Sequence, residues 1–137
     1  MARVLVDTSA VFALLDRSDV KHAAARRVLT ELKQRRTSPL LTNFIVAESH
    51  ALALSRLGAE IARRWLLGNV WPIERVTEDD EAKARTIIAR FTDKAFSYTD
   101  ATSFAVMERL GLKVAFAFDP HFRQYGFQVL GTPQAER

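Results

Sequence analysis

The sequence predicts an α/β domain of three layers, with a central parallel sheet of about five strands flanked by helices. Two observations predict it. Short apolar runs of the strand type alternate along the chain with segments of helical spacing, and such alternation implies parallel βαβ units. The 137 residues, 48% of them hydrophobic, suffice for one core. We therefore predict a single domain over residues 1–131 and a C-terminal tail at 132–137.

The first half of the chain supplies two of the predicted strands. RVLVD is a β-branched apolar run typical of a buried strand, and TSAVFALLD follows with helical spacing. Residues 21–36 form an amphipathic helix, because their apolar residues recur on one face, and LLT is the second strand. Residues 43–58 are helical, with Thr42 or Asn43 as the N-cap and Gly58 as the stop, and AEIARRWLLGN is a further helix.

The second half supplies the other strands. WPIERV is a strand interrupted by Pro72, and TEDDEAKARTIIARF is a helix whose first turn is acidic, which suits the helix dipole. DATSFAVMERLG is predicted as a helix, and KVAFAF and FQVL as the last two strands.

Composition narrows the class of protein. The absence of cysteine excludes disulfides and cysteine-ligated zinc, and it favours a reducing compartment. Asp7 interrupts the apolar N-terminal run, and no apolar stretch of about 18 residues is present, so we expect a soluble cytoplasmic protein without a membrane partner. The net charge of +4 is compatible with a polyanionic partner.

Four acids fall at comparable places in the predicted fold. Asp7 ends the first strand, Asp119 ends KVAFAF, Asp100 begins a helix, and Glu48 lies in the second turn of the helix after the second strand. In parallel sheets, functional sites lie beyond the carboxyl ends of the strands. We therefore expect Asp7, Glu48, Asp100 and Asp119 to face one edge of the sheet.

Four carboxylates brought together would repel one another unless a cation lies between them. Oxygen ligands without cysteine favour Mg²⁺ or Mn²⁺ over zinc. Such clusters suit phosphodiester hydrolysis by metal-activated water. We predict Asp7 and Asp100 as direct ligands, with Glu48 and Asp119 holding a second ion or orienting the water.

Four blocks of the sequence resemble those of PIN-domain proteins: VLVDTSAVFALLD, TNFIVAE, FSYTDATSFAVMERLG and AFAFDPHFRQYGF. In this order they are most similar to PIN ribonuclease toxins of the virulence-associated protein C type. The resemblance implies a PIN fold, Mg²⁺- or Mn²⁺-dependent endoribonuclease activity on RNA, a homodimer, and a cognate antitoxin. It places the family's acids on Asp7, Glu48, Asp100 and Asp119.

The resemblance also implies a hydroxyl after the first acid, from Thr8 or Ser9. One departure stands at Ala117, where many relatives carry Thr or Ser two positions before the last acid. This departure keeps open an alternative, a PIN-like module that binds RNA or protein with weak or no catalysis.

Other enzyme classes fit less well. A phosphate-accepting receiver domain needs a Lys after a late strand, and none follows AFAFDPHF. A phosphatase of the haloacid-dehalogenase kind needs Asp-x-Asp, and the run here is Asp7-Thr8-Ser9. For His22, His50 and His121 we predict structural roles, because no two stand at ligand spacing. Arg26, Arg27, Arg63 and Arg64 are the arginines that we expect near the RNA backbone.

Overall fold

The computed structural model describes residues 2–131, so the predicted tail at 132–137 lies outside the described residues. Five parallel strands form one sheet in the order β3-β2-β1-β4-β5. The strands are β1 Arg3–Val6, β2 Ser38–Thr42, β3 Ile73–Glu74, β4 Val114–Ala117 and β5 Gln128–Gly131. The predicted five-stranded parallel sheet is confirmed.

Seven helices flank the sheet within the described part of the chain. They are α1 Thr8–Leu15, α2 His22–Gln34, α3 Asn43–Leu57, α4 Ala59–Gly68, α5 Glu78–Arg90, α6 Tyr98–Leu110 and α7 His121–Tyr125. None of the helices in residues 2–131 is long and apolar enough to cross a bilayer.

The clearest differences from the predictions concern α6, β3 and α7. Helix α6 begins at Tyr98, two residues before Asp100, because the hydroxyl of Ser97 caps it. Strand β3 keeps only two residues beyond Pro72. Helix α7 was not predicted: its five residues are too few to show a helical period, and Pro120 stands at its N-cap.

The core lies around β1, β4 and α6. The last three residues of β1 and of β4 are buried, and so is every residue of α6 from Asp100 to Met107. An aromatic cluster around the middle of α6 holds α7 in place, since the rings of Phe104 and Tyr125 stack with centroids 4.4 Å apart. This packing delivers the N-terminus of α7 to the edge where β4 ends.

Helices α5 and α6 are joined by an ion-pair network around Arg109. Its guanidinium donates to both carboxylate oxygens of buried Asp80 at 2.9–3.2 Å, and also to Glu74 and to the carbonyl oxygen of Arg75. Asp80 also completes the capping box of α5 with Thr77. Although burial opposes ionisation, the hydrogen bonds from Arg109 and Thr77 lower the pKa of Asp80. The acidic first turn predicted for this helix is thus also a tertiary anchor.

The strand order reverses next to β1. From β1 the chain adds β2 and then β3 on one side, and it returns to add β4 and then β5 on the other. The carboxyl ends of β1 and β4 therefore lie at a topological switch point, where α/β sheets bind ligands. Asp7 follows β1 directly, and Asp119 lies two residues after β4.

Candidate active site at the carboxyl edge of the sheet

Asp7 is buried at the switch point, with 2% of its surface exposed. It is the N-cap of α1, and its Oδ2 accepts hydrogen bonds from the amide and the hydroxyl of Ser9 at 3.2 and 2.7 Å. Burial, and next the charge of Asp119, raise the pKa of the Asp7 carboxyl well above its ordinary value, against the bonds from Ser9. An acid held in this state gains from a cation placed beside it.

Asp100 occupies the third position of α6 and is 6% exposed. Its amide donates to the hydroxyl of Ser97, and its Oδ2 accepts from the Ser97 amide at 2.9 Å, which completes a capping box. Burial raises the pKa of the Asp100 carboxyl; the Ser97 amide opposes that rise, and the charge of Asp119 adds to it. The residue is therefore a helix cap and a site acid at once.

Asp119 and His121 complete the cluster. The Oδ1 atom of Asp119 accepts from the amide of His121 at 2.9 Å, and the His121 Nδ1 atom lies 2.7 Å from Asp100 Oδ2. Asp100, Asp119 and His121 each present one potential ligand atom within 4.8 Å of the others. Asp7 adjoins this group through its contact with Asp119.

The donor set fits a divalent cation. Each of the three aspartates accepts these hydrogen bonds through one carboxylate oxygen. The donors are Ser9 for Asp7, Ser97 and the His121 ring for Asp100, and the His121 amide for Asp119. Two of them, Asp7 and Asp100, have raised pKa values that burial and mutual repulsion explain. Oxygen-rich sites of this kind suit hard cations. The site is thus acidic and preorganised, and burial together with the charge of Asp119 disfavours the ionised forms of Asp7 and Asp100.

Glu48 is not brought into the cluster. It is exposed on α3, in an open groove that is also lined by Phe44 and Thr99. Thr99 adjoins Asp100 in sequence, so the groove borders the cluster. Of the four predicted acids, Asp100 and Asp119 present ligand atoms within 4.8 Å of each other and Asp7 adjoins Asp119, whereas Glu48 is not part of this group within residues 2–131. A shared role for all four acids stays a prediction.

The hydroxyl expected from Thr8 or Ser9 comes from Ser9. Its Oγ donates to Asp7 and accepts from the amide of Phe118 at 2.9 Å, which links the ends of β1 and β4. Thr8 is buried and lies 3.5 Å from the hydroxyl of Ser49. Ala117 is fully buried at the end of β4.

The structural role predicted for His121 accounts for only part of its contacts. Its ring packs edge-on against Phe96, with centroids 5.8 Å apart, but it also bonds Asp100. The spacing of histidines along the chain does not indicate this contact, because the partner lies 21 residues away. His22, by contrast, bonds the carbonyl oxygen of Ala13, as a structural histidine does.

The arginines expected near RNA lie on exposed helix faces. Arg26 and Arg27 are on α2, and Arg64 on α4 binds Glu60 at 2.7 Å. Arg64 also lines an apolar cavity of about 280 Å³ together with Trp65 and Trp71. Contact with RNA stays a prediction for these residues.

Comparison with known proteins shows which family the sequence and this geometry resemble. The model of the PIN domain matches residues 4–128. The chain is 34% identical over 127 residues to the 23S rRNA-specific endonuclease VapC20 of Mycobacterium tuberculosis, covering 90% of this chain and 95% of that one.

Solved structures of similar proteins have the same fold. The crystal structure of M. tuberculosis VapC20, described as a sarcin–ricin loop cleaving toxin, superposes with a TM-score of 0.81 at 31% identity, over 90% of this chain and 95% of that chain. VapBC2 of Rickettsia felis, solved with a DNA fragment from its promoter, superposes with a TM-score of 0.69 at 8% identity, over 93% and 96% of the two chains. The latter similarity is one of fold alone.

Proposed function

This chain belongs to the PIN-domain family, and on that premise we propose that it is the ribonuclease toxin of a type II toxin–antitoxin pair. It is an RNA-cleaving hydrolase whose partners are an RNA substrate and a cognate antitoxin. The observation that carries the proposal is the group that buried Asp7 and Asp100 form with half-buried Asp119 at the switch point of the sheet. The relative VapC20 makes 23S rRNA the first substrate to test.

The cofactor that we propose is Mg²⁺ or Mn²⁺. Asp7 and Asp100 would hold it directly, and Asp119 and Glu48 would ligate a second ion or orient the attacking water. A bound ion supplies an activated water and offsets the charge that develops on the phosphate and the leaving oxygen. The acid cluster and the family resemblance support this assignment.

The chain's own residues prepare the site before substrate arrives. Ser9 and Ser97 fix the carboxylates of Asp7 and Asp100 on one oxygen each. This leaves the carboxylates little freedom to lose when they bind a cation, so the site is preorganised. The net charge of +4 draws RNA phosphates to the surface around the acids. We place this activity in the cytoplasm.

The test is cleavage of total cellular RNA by the purified protein in Mn²⁺ or Mg²⁺. We expect discrete fragments that disappear with chelator and fall by about 10²- to 10³-fold in Asp100→Asn, because several kcal/mol of charge stabilisation is lost. Asn at position 100 can still accept the bond from the Ser97 amide, so the fold should survive.

Asp79→Asn is the matched control, since Asp79 is an exposed acid in the first turn of α5. This variant should cleave RNA like the wild type. Fragments that persist in Asp100→Asn or in chelator would contradict the proposal. RNA binding at normal affinity without cleavage in the wild type would favour the alternative of a binding module, with Ala117 as the first position to change to Thr.

A homodimer is also part of the proposal. Large apolar side chains are exposed on α3, α4 and the segment after α4, and an assembly would cover them. These are Leu54, Ile61, Leu66, Leu67 and Val70. The antitoxin is the other candidate to cover part of this surface.

We expect the protein purified without antitoxin to have twice the chain mass of 15.5 kDa by size-exclusion chromatography with light scattering. The physical reason is burial of the exposed apolar side chains against a second copy. A mass of one chain across the concentrations that the method covers would exclude the homodimer.

A further inference from the structure

We propose that His121 is a positioning residue, which sets the geometry of Asp100 and Asp119 for cation binding through its ring Nδ1–H and its backbone amide. The inference rests on the proposed function, since it concerns how the same acid cluster is prepared. It departs from the purely structural role that the sequence predicts for this residue.

One residue contacts both acids. The amide of His121 donates to Asp119 Oδ1 at 2.9 Å, and its Nδ1 lies 2.7 Å from Asp100 Oδ2. The two acids belong to separate segments, α6 and the loop after β4, and the charge of Asp119 acts against the ionised form of Asp100. A donor placed on each acid offsets that repulsion and sets their separation.

The ring is itself held in one orientation. Phe96 packs edge-on against it with an interplanar angle of 78°, and His121 opens α7, which the aromatic cluster anchors to α6. Only 26% of the His121 side chain and 9% of the Asp100 side chain are exposed. Water therefore competes little for this hydrogen bond, and the ring cannot turn away without leaving Phe96.

The two oxygens of the Asp100 carboxylate differ in their hydrogen bonds. Within residues 2–131, the bonds from Ser97 and His121 both reach Oδ2, and Oδ1 accepts none. A carboxylate that ligates a cation is ionised, so the Nδ1 atom facing it must carry the proton and donate. A second donor on a ligating carboxylate typically changes metal affinity by about 10- to 100-fold.

The experiment compares two variants that separate the donor from the ring. His121→Phe keeps a ring against Phe96 and removes the donor. His121→Asn keeps a donor close to the position of Nδ1 and removes the ring and the Nε2 atom. Mn²⁺ affinity is measured by isothermal titration calorimetry without RNA, and circular dichroism verifies that each variant is folded.

We expect His121→Phe to bind Mn²⁺ about 10- to 100-fold more weakly than the wild type and His121→Asn to recover most of that loss. Wild-type affinity in His121→Phe would overturn the inference. An equal loss in both variants would also overturn it, because it would make Nε2 a direct ligand or the ring the essential element. A wild-type protein that fails to bind Mn²⁺ would instead contradict the proposed function.

Discussion

Replacing Asp7 by Asn is expected to lower RNA cleavage by about 10²- to 10³-fold and, at neutral pH without metal, to raise the melting temperature. Both effects follow from removing the charge of Asp7. Asp7 is 2% exposed and next to Asp119, so its charge is costly to the metal-free fold. Asn keeps an oxygen for the amide and hydroxyl of Ser9 and remains a good N-cap for α1.

The pH dependence of stability should reveal the same destabilisation by the Asp7 charge. The pKa of Asp7 in the folded state is raised above its ordinary value of 3.8. The stability that the neutral carboxyl contributes is therefore complete below that pH and is lost as the pH rises through the folded-state pKa. Metal-free wild type should lose stability relative to Asp7→Asn over this range, and Mg²⁺ or Mn²⁺ should restore it in the wild type only.

Asp16→Asn provides the matched control. Asp16 stands at the other end of α1, where it accepts bonds from Ser18 on the exposed surface. It should leave cleavage and the metal-free pH profile of melting unchanged. Equal melting temperatures for wild type and Asp7→Asn at neutral pH would show that burial does not penalise the Asp7 charge.

Replacing Arg109 by Met is expected to lower the free energy of unfolding by about 2–3 kcal/mol. The change leaves the Asp80 carboxylate, whose side chain is only 4% exposed, without its guanidinium partner, and it separates α6 from Glu74. Loss of a partner in a fully buried pair costs about 3–5 kcal/mol, and we expect less here because Arg109 is one-third exposed. Urea unfolding with an unchanged slope would measure the loss.

Lys83→Met is the comparison for that variant. Lys83 pairs with Glu108 between the same two helices, but both side chains are well exposed. We expect a change below about 1 kcal/mol. A loss in Arg109→Met no larger than that in Lys83→Met would mean that the Asp80 network does not anchor α5 to α6.

Much of the fold can be predicted from the sequence because its signals are local. The apolar runs VLV of β1 and AFA of β4 are buried, and helix α3 begins after Thr42 and ends before Gly58 as its cap and stop residues predict. The exceptions are short. Helix α7 and strand β3 have five and two residues, and their conformation depends on neighbours rather than on a period.

The sequence by itself placed Asp7 and Asp119 after strands and Asp100 at the start of a helix, and it predicted that these three acids and Glu48 face one edge of a parallel sheet. Only the tertiary structure decided how they are held. The choice of Ser9 over Thr8 depends on the register of β1 beside β4, and the contact of His121 with Asp100 depends on the path of the loop after β4. It also left Glu48 exposed outside the cluster. Strand ends can be predicted because the runs of apolar residues that form strands are a local pattern, whereas contacts between distant side chains follow from packing, which no local pattern encodes.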